Sequence, residues 1–162
     1  MIVSDADFLS AFSKIDRIDL IFKVFKTKEI TITKAVYDEL KESPVFDKLL
    51  PYFSAKESKI IIKKVSAKDV PENLGTGERE SITLAKDKKA KLLMDDRDAE
   101  EYAESKGVDV IDIPAFLFHC KESNILPVSE IKSIINNLKD KDHYEFEAKV
   151  KEELLKTDDQ PN

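Results

Sequence analysis

Acidic side chains recur in this chain at the points where short apolar segments end. In MIVSDADFLS, Asp5 and Asp7 follow the apolar start of the segment, and in KLLMDDR, Asp95 and Asp96 follow its apolar residues. Glu39 lies in VYDEL, about one or two helical turns after the alternating segment EITIT. Carboxylates placed after parallel strands meet at one edge of a sheet. Such a rim could bind a cation or take part in acid-base chemistry.

A further acid follows an unusually flexible turn. Glu78 lies in LGTGERE, where Gly75 and Gly77 flank Thr76 and let the backbone turn tightly into a helix. Each acid taken alone could simply cap a helix or complement its dipole. Several carboxylates on one rim repel one another unless some are protonated or a cation is bound. All-oxygen ligands suit Mg²⁺ or Mn²⁺, whereas two His and one Cys make a poor zinc site.

Alternating strand-like and helix-like patterns predict the elements that position these acids. Five segments are typical of strands: 2–4, 29–33, 59–65, 91–94 and 108–113. Helical patterns separate them, so the sequence predicts an α/β fold. We expect a three-layer α/β/α sandwich around a central, mostly parallel sheet of about five strands, similar to a Rossmann fold.

The domain organisation follows from where this alternation stops. We expect an α/β domain over 1–126, a helical extension packed on it over 127–156, and a disordered tail over 157–162. Within the first region, PVFDKLLPYF predicts a helix with Pro44 near its first turn. In the extension, IKSIINNL and YEFEAKVKEELL predict two amphipathic helices.

Composition limits the functional class. The 162 residues carry a net charge of -6, which argues against a generally basic surface for nucleic acid but leaves room for bound cations. The single cysteine, Cys120, excludes an intrachain disulfide and favours a reducing compartment. The N-terminus shows no leader pattern and no segment shows membrane-spanning hydropathy, so we expect a cytoplasmic protein that makes no contact with membranes. The Lys and Glu content favours a thermophilic or archaeal source.

Four motifs together resemble a known family. IVSDADFLSAF, TITKAVYDEL, LGTGERESITLA and AKLLMDDRDAEEYAESKGVDVI are similar to PIN domains, in particular to the archaeal and bacterial branch with a GExE motif. The resemblance runs from Ile2 to about Leu126, and the tail resembles the closing helices of that branch. It implies a PIN-like fold and a metal site built from acids, in chain order Asp5, Glu39, Glu78 and then either Asp95 or Asp96.

The same resemblance implies supporting residues and shows two departures. Asp7 and Glu80 would support the acidic set. Met94 stands where many PIN nucleases carry Thr or Ser before the last acid, and Asp112 with Ile113 replaces a Gly-Thr pair often found after the last strand. Neither departure touches the acids themselves.

The implied activity is a metal-dependent ribonuclease that cleaves single-stranded or loop RNA with Mg²⁺ or Mn²⁺. Water activated at the metal would attack the phosphate in line and leave 5′-phosphate and 3′-hydroxyl ends. Lys34, Arg79 and Arg97 stand beside the later motifs, where they could meet phosphates. The apolar positions of the two terminal helices suit the core or a dimer face, and we expect a homodimer. The resemblance also implies, for a toxin of a toxin–antitoxin pair, a small antitoxin protein as a partner.

Two alternatives stay open at this point. DADFL resembles the first motif of haloacid dehalogenase phosphatases, in which Asp5 would be the nucleophile and Asp7 the acid/base. Against that alternative, Phe8 occupies a hydroxyl position, and Glu39 and Glu78 would have no role. The other alternative is a catalytically silent PIN fold that serves as an interaction module.

Overall fold

The computed structural model describes residues 1–54, 56 and 59–157. The strands are β1 (Ile2–Ser4), β2 (Ile30–Thr33), β3 (Ile60–Lys63), β4 (Lys91–Leu93) and β5 (Asp109–Ile111). The helices are α1 (Ala6–Lys14), α2 (Ile18–Phe25), α3 (Lys34–Lys41), α4 (Phe46–Leu49), α5 (Thr76–Lys88), α6 (Arg97–Ser105), α7 (Ile113–Glu122), α8 (Val128–Asp142) and α9 (Ala148–Leu155). A 3-10 helix over Leu50–Phe53 follows α4.

The five strands form one parallel sheet in the order β3-β2-β1-β4-β5. Val3 in β1 pairs with Thr31 on one side and with Leu92 on the other. The strand order changes direction between β1 and β4, because the chain first builds outward through β2 and β3 and then returns. That switch point is where ligands bind in open α/β sheets.

Polar caps end four of the strands and begin the helices that follow. Asp5, Thr33, Asp96 and Asp112 each accept a hydrogen bond from a backbone N–H three residues further on, at 2.8 to 3.3 Å. An oxygen at the N-cap satisfies one of the free N–H groups of a helix. The fifth strand is shorter than the predicted 108–113 because Asp112 already caps α7.

Apolar layers cover both faces of the sheet. The larger cluster contains Phe8, Phe12 and Phe116, whose ring centroids lie 5.1 to 5.6 Å apart. The smaller cluster joins β4 to α5 and α6. The predicted α/β fold around five parallel strands is therefore confirmed.

The C-terminal helices share the larger core. Ile131, Leu138 and Leu154 are buried in the same cluster as α1 and α7. Apart from Thr157, the predicted tail over 157–162 lies outside the described residues. Among the described residues, no helix has the length and apolar character needed to cross a membrane.

Two helix predictions need correction. Pro44 lies in a turn, and the segment after it divides into α4 and the 3-10 helix. The last helix begins at Ala148 and not at Tyr144. Tyr144 and Phe146 pack against the larger core while Glu145 and Glu147 stay exposed, an alternation that extended backbone produces and a helix does not.

Candidate functional site

Asp5 is the most buried acid of the predicted site, with 2% of its surface exposed. Its Oδ1 accepts the Phe8 N–H at 2.8 Å, and its Oδ2 accepts the Asp95 N–H at 3.3 Å. The first bond caps α1, and the second crosses from β1 to the end of β4. Burial raises the pKa of Asp5 well above its ordinary value, with further increases from the charges of Asp7 and Asp95.

Glu39 and Glu78 come together because α3 packs against α5. A Cβ added at Gly77 would lie 3.1 Å from Glu39 Oε2 and 3.3 Å from Val36 Cγ2, so the missing side chain lets the two helices approach. Partial burial raises the pKa of Glu39, and the charges of Asp7 and Glu78 add to this effect.

Glu78 itself folds back over the start of α5. Its carboxylate accepts the Gly75 N–H, which lowers the pKa of Glu78. Partial burial and the charges of Asp96 and Asp7 outweigh this bond, and the pKa of Glu78 is raised overall. A Cβ at Gly75 would collide with the Glu78 carboxylate, so any other residue at this cap would push that flexible side chain aside.

The neighbouring acids Asp95 and Asp96 face in different directions. Asp96 Oδ1 accepts the Ala99 N–H at 2.9 Å and caps α6, and its charge raises the pKa of Glu78. Asp95 Oδ1 accepts two donors at 3.1 Å, the Ile113 N–H and the Tyr144 hydroxyl. Burial raises the pKa of Asp95 to about 6.

Asp7 interacts electrostatically with the other acids at this edge. Its charge raises the pKa values of Asp5, Glu39, Glu78 and Asp95. Partial desolvation, followed by the charges of Asp96 and Asp142, raises the pKa of Asp7 in turn. One edge of the sheet thus collects several negative charges that raise one another's pKa values.

The remaining predicted residues have separate partners. Glu80 Oε2 accepts the Ala35 N–H at 3.2 Å and ties α5 to the start of α3. Lys34 pairs with its helical neighbour Asp38, and Arg97 pairs with Glu101 at 3.2 Å with 89% of its side chain exposed. Arg79 has no ion pair within the described residues, and its Nε is buried without a hydrogen-bond partner there.

Sequence patterns missed two participants at this edge. Tyr144 contacts Asp95 across 49 residues, and its segment was predicted as helix. Glu100 faces the same edge, where burial and then the charge of Asp112 raise its pKa to about 7. Asp112, whose charge acts on Glu100, could have been placed at this edge from the sequence, because it follows the fifth strand as Asp5 follows the first.

The donor set suits a hard divalent cation. All seven candidate ligands and supports are carboxylates, and within the described residues none of them forms an ion pair: Asp5, Asp7, Glu39, Glu78, Glu80, Asp95 and Asp96. No three His, Cys, Asp or Glu side chains in the described part of the chain are gathered closely enough to hold a metal ion. The carboxylate oxygens fit Mg²⁺ or Mn²⁺ as donors, and binding would require them to move closer together.

A family model described as a PIN domain matches residues 1–160. The chain belongs to the PIN domain family. A solved structure of a PilT N-terminus domain protein, SSO1118, from the hyperthermophilic archaeon Sulfolobus solfataricus P2 has the same fold. It is 23% identical, with a TM-score of 0.54 over 72% of this chain and 90% of that one. No curated protein matches the chain.

The family match confirms the predicted resemblance to PIN domains. It excludes the haloacid dehalogenase phosphatase alternative, because the PIN model covers nearly the whole chain. PIN domains are generally nucleases and typically use divalent metal ions. A nuclease-type module is thus the functional class of this PIN domain.

Proposed function

We propose that this PIN domain is a Mg²⁺- or Mn²⁺-dependent endoribonuclease. The observation that carries the proposal is the set of carboxylates at the switch point of the sheet, which raise one another's pKa values without an ion-pair partner. A bound divalent cation would relieve this repulsion. We assign the metal to Asp5, Glu39, Glu78 and Asp96, with support from Asp7.

Asp96 is the better candidate of the adjacent pair. Its charge acts on Asp7 and Glu78, which are members of the same set. Asp95 instead uses one oxygen to accept two donors and its own N–H to hold Asp5. We therefore place Asp95 behind the site, where it holds Asp5 in place.

Bound Mg²⁺ or Mn²⁺ would supply an acidified water and neutralise charge on the scissile phosphate. The chain's own residues prepare that step. The caps on Asp5 and Asp96 fix each carboxylate against the start of a helix. The contact of Gly77 with Glu39 holds α3 beside α5, so that acids from different strands face one another.

Single-stranded or loop RNA is the proposed substrate, because an open sheet edge accepts an extended backbone more readily than a stiff duplex. Arg79 has the one guanidinium without an ion pair in the described ranges, and it follows Glu78 directly. We assign it to a phosphate beside the cut. Lys34 and Arg97 would have to leave Asp38 and Glu101 to do the same.

A toxin role, with a small antitoxin as the partner, extends the proposal and rests on the family resemblance, and a homodimer is the proposed assembly. Induced expression would arrest growth in the wild type and not in Asp5→Asn, while light scattering would report the dimer. A catalytically silent interaction module is the rival function. The caps favour it, since Asp5 and Asp96 each have a structural task in the fold.

The test is cleavage of end-labelled single-stranded RNA by the purified full chain in Mn²⁺ or Mg²⁺. Asp5→Asn keeps an oxygen for the Phe8 N–H, since Asn caps helices as well as Asp does, but it removes the charge and replaces the oxygen that accepts the Asp95 N–H with an NH2 group. We expect about 100-fold slower cleavage, as expected from losing a metal-site group. EDTA should abolish the reaction, and the products should carry 5′-phosphates.

Asp109→Asn is the matched control. Asp109 is exposed, pairs with Lys91 at 2.7 Å, and lies where β5 begins, at the opposite edge of the sheet. It should cleave at the wild-type rate. Equal rates for Asp5→Asn and wild type, or cleavage that persists in EDTA, would contradict the proposal. A folded wild type that binds Mn²⁺ and cuts none of the RNAs would establish the silent module.

A further inference from the structure

The link between α8 and α9, residues 143–147, lies over the carboxyl edge of the sheet. His143 has a left-handed backbone with φ of 55° and ends α8. The next residue is tied back by its N–H to Leu138 O at 3.1 Å. Just before the link, Asp142 forms a 2.7 Å ion pair with Lys14 of α1. The link is therefore anchored to two helices of the core.

Tyr144 extends from this link to the predicted site. Its hydroxyl donates to Asp95 Oδ1 at 3.1 Å, and the Ile113 N–H donates to the same oxygen. Phe146 packs against the tyrosine ring at 4.9 Å between centroids, with the ring planes 70° apart. Both aromatic rings are partly buried against the larger core, so the hydroxyl is held in a fixed direction.

The contact continues from Asp95 into Asp5. The Asp95 N–H donates to Asp5 Oδ2 at 3.3 Å, while the Asp5 N–H donates to Leu93 O at 2.9 Å. A short path of hydrogen bonds thus leads from the C-terminal link through Asp95 to the deepest acid of the site.

The surroundings of Asp95 make the tyrosine hydroxyl important. A recess of about 540 Å³ beside Asp95 is lined mainly by acids, among them Glu100, Glu104 and Asp112. The negative charge of Asp112 repels the Asp95 carboxylate. The Tyr144 hydroxyl and the Ile113 N–H are the donors that oppose this push within the described residues.

We propose that Tyr144 is a positioning residue for the nuclease site, acting through Asp95 on Asp5. This inference rests on the proposed function for its effect on cleavage, but the hydrogen-bond path itself can be tested without activity. Loss of the hydroxyl leaves Asp95 with one donor, so its carboxylate swings and its N–H loosens from Asp5.

The test compares Tyr144→Phe with Tyr102→Phe in the full-length protein. The Tyr102 hydroxyl also donates one hydrogen bond, to Asp69 O, which belongs to none of the predicted metal-site acids, so its loss is a matched control. Amide hydrogen exchange, measured by NMR in metal-free protein, follows the Asp95 N–H directly. We expect about tenfold faster exchange of that amide in Tyr144→Phe and no change in Tyr102→Phe.

Kinetics and metal binding then separate positioning from general stability. In Tyr144→Phe we expect kcat to fall about tenfold with KM for RNA nearly unchanged, and Mn²⁺ to bind several-fold more weakly by electron paramagnetic resonance. Unchanged Asp95 exchange, or wild-type kcat in folded Tyr144→Phe, would overturn the inference. If wild type cuts no RNA, the proposed function fails, while altered Asp95 exchange in Tyr144→Phe still supports the positioning contact.

Discussion

At the scale of single residues, the acids of this PIN domain combine structural and chemical tasks. Asp5 caps α1 with one oxygen and accepts the Asp95 N–H with the other. A cap alone needs only an oxygen, which Ser, Thr or Asn would supply equally well. A carboxylate that is 2% exposed and faces other carboxylates carries an electrostatic cost that capping does not require.

Gly77 lies at the closest approach of two acid-bearing helices, and Gly77→Ala tests that contact. The new methyl would press on Glu39 Oε2 and Val36 Cγ2, at 3.1 and 3.3 Å. Alanine favours the helix by up to about 1 kcal/mol, which offsets the crowding, so the free energy of unfolding should stay within about 1 kcal/mol of wild type. RNA cleavage should fall about tenfold because Glu39 is displaced.

Gly107→Ala should give the opposite pattern. Gly107 has φ of 80° after α6 and no atom within 4 Å of an added Cβ, so the substitution strains only the backbone. We expect a loss of about 1 kcal/mol in unfolding free energy and unchanged cleavage per folded molecule. Urea denaturation and RNA cleavage measured on both variants check this pair. Normal cleavage by Gly77→Ala would show that the α3–α5 spacing does not matter.

At the scale of elements, the helices after residue 126 complete the core. α8 packs on α1, and α9 packs on α7 and α8. The link between them carries Tyr144 to Asp95. The C-terminal helices therefore contribute both to the apolar layer and to the edge where the acids lie.

Leu154→Ala measures how much α9 stabilises the domain. Leu154 is fully buried in the larger cluster, so truncation leaves a cavity and should cost about 2–4 kcal/mol of unfolding free energy. Leu155→Ala next to it removes a partly exposed side chain and should cost about 1 kcal/mol or less. Equal losses in urea denaturation of the two variants would contradict the observed orientation of α9.

At the scale of the whole molecule, negative charge at the sheet edge destabilises the metal-free fold. The net charge is -6, and the acids at the sheet edge hold raised pKa values. Burial raises the pKa of Asp95 from 3.8 to about 6 and that of Glu100 from 4.5 to about 7. The folded protein therefore binds more protons than the unfolded chain between about pH 4 and pH 7.

The sign of this linkage predicts that metal-free protein loses stability as pH rises through that window. The folded state holds protons that the unfolded state has released, so the free energy of unfolding falls from about pH 4 to pH 7 and then levels off. Solvent screening of the partly exposed groups limits the loss to the order of 2 kcal/mol. Urea denaturation in EDTA, from pH 4.5 to pH 8, measures it.

Two comparisons identify the source of the loss. Glu100→Gln should flatten part of the pH dependence, because Asp112 and Asp95 then face a neutral group. Mn²⁺ should stabilise the wild type more at pH 7.5 than at pH 5, because deprotonated carboxylates bind it. A free energy of unfolding that stays constant across the window would show that the sheet-edge acids ionise normally, and one that rises with pH would show that folding lowers their pKa values.

Local patterns determined much of the fold. Alternating apolar segments placed all five strands. Gly107 has a left-handed backbone just after α6, the conformation that glycine favours beyond the end of a helix. These features depend on which face of a short segment is apolar and on backbone preferences of single residues, both of which the sequence displays directly. The acidic motifs likewise follow from residue type and spacing.

Only the tertiary structure decided which acids face one another. Asp95 and Asp96 are neighbours in sequence, yet one accepts Tyr144 and the other caps α6. The bond from Tyr144 spans 49 residues, and that from the Asp95 N–H to Asp5 spans 90. Side-chain directions at such separations depend on how the strands order themselves and how α8 and α9 close over the sheet, and no local periodicity encodes that packing.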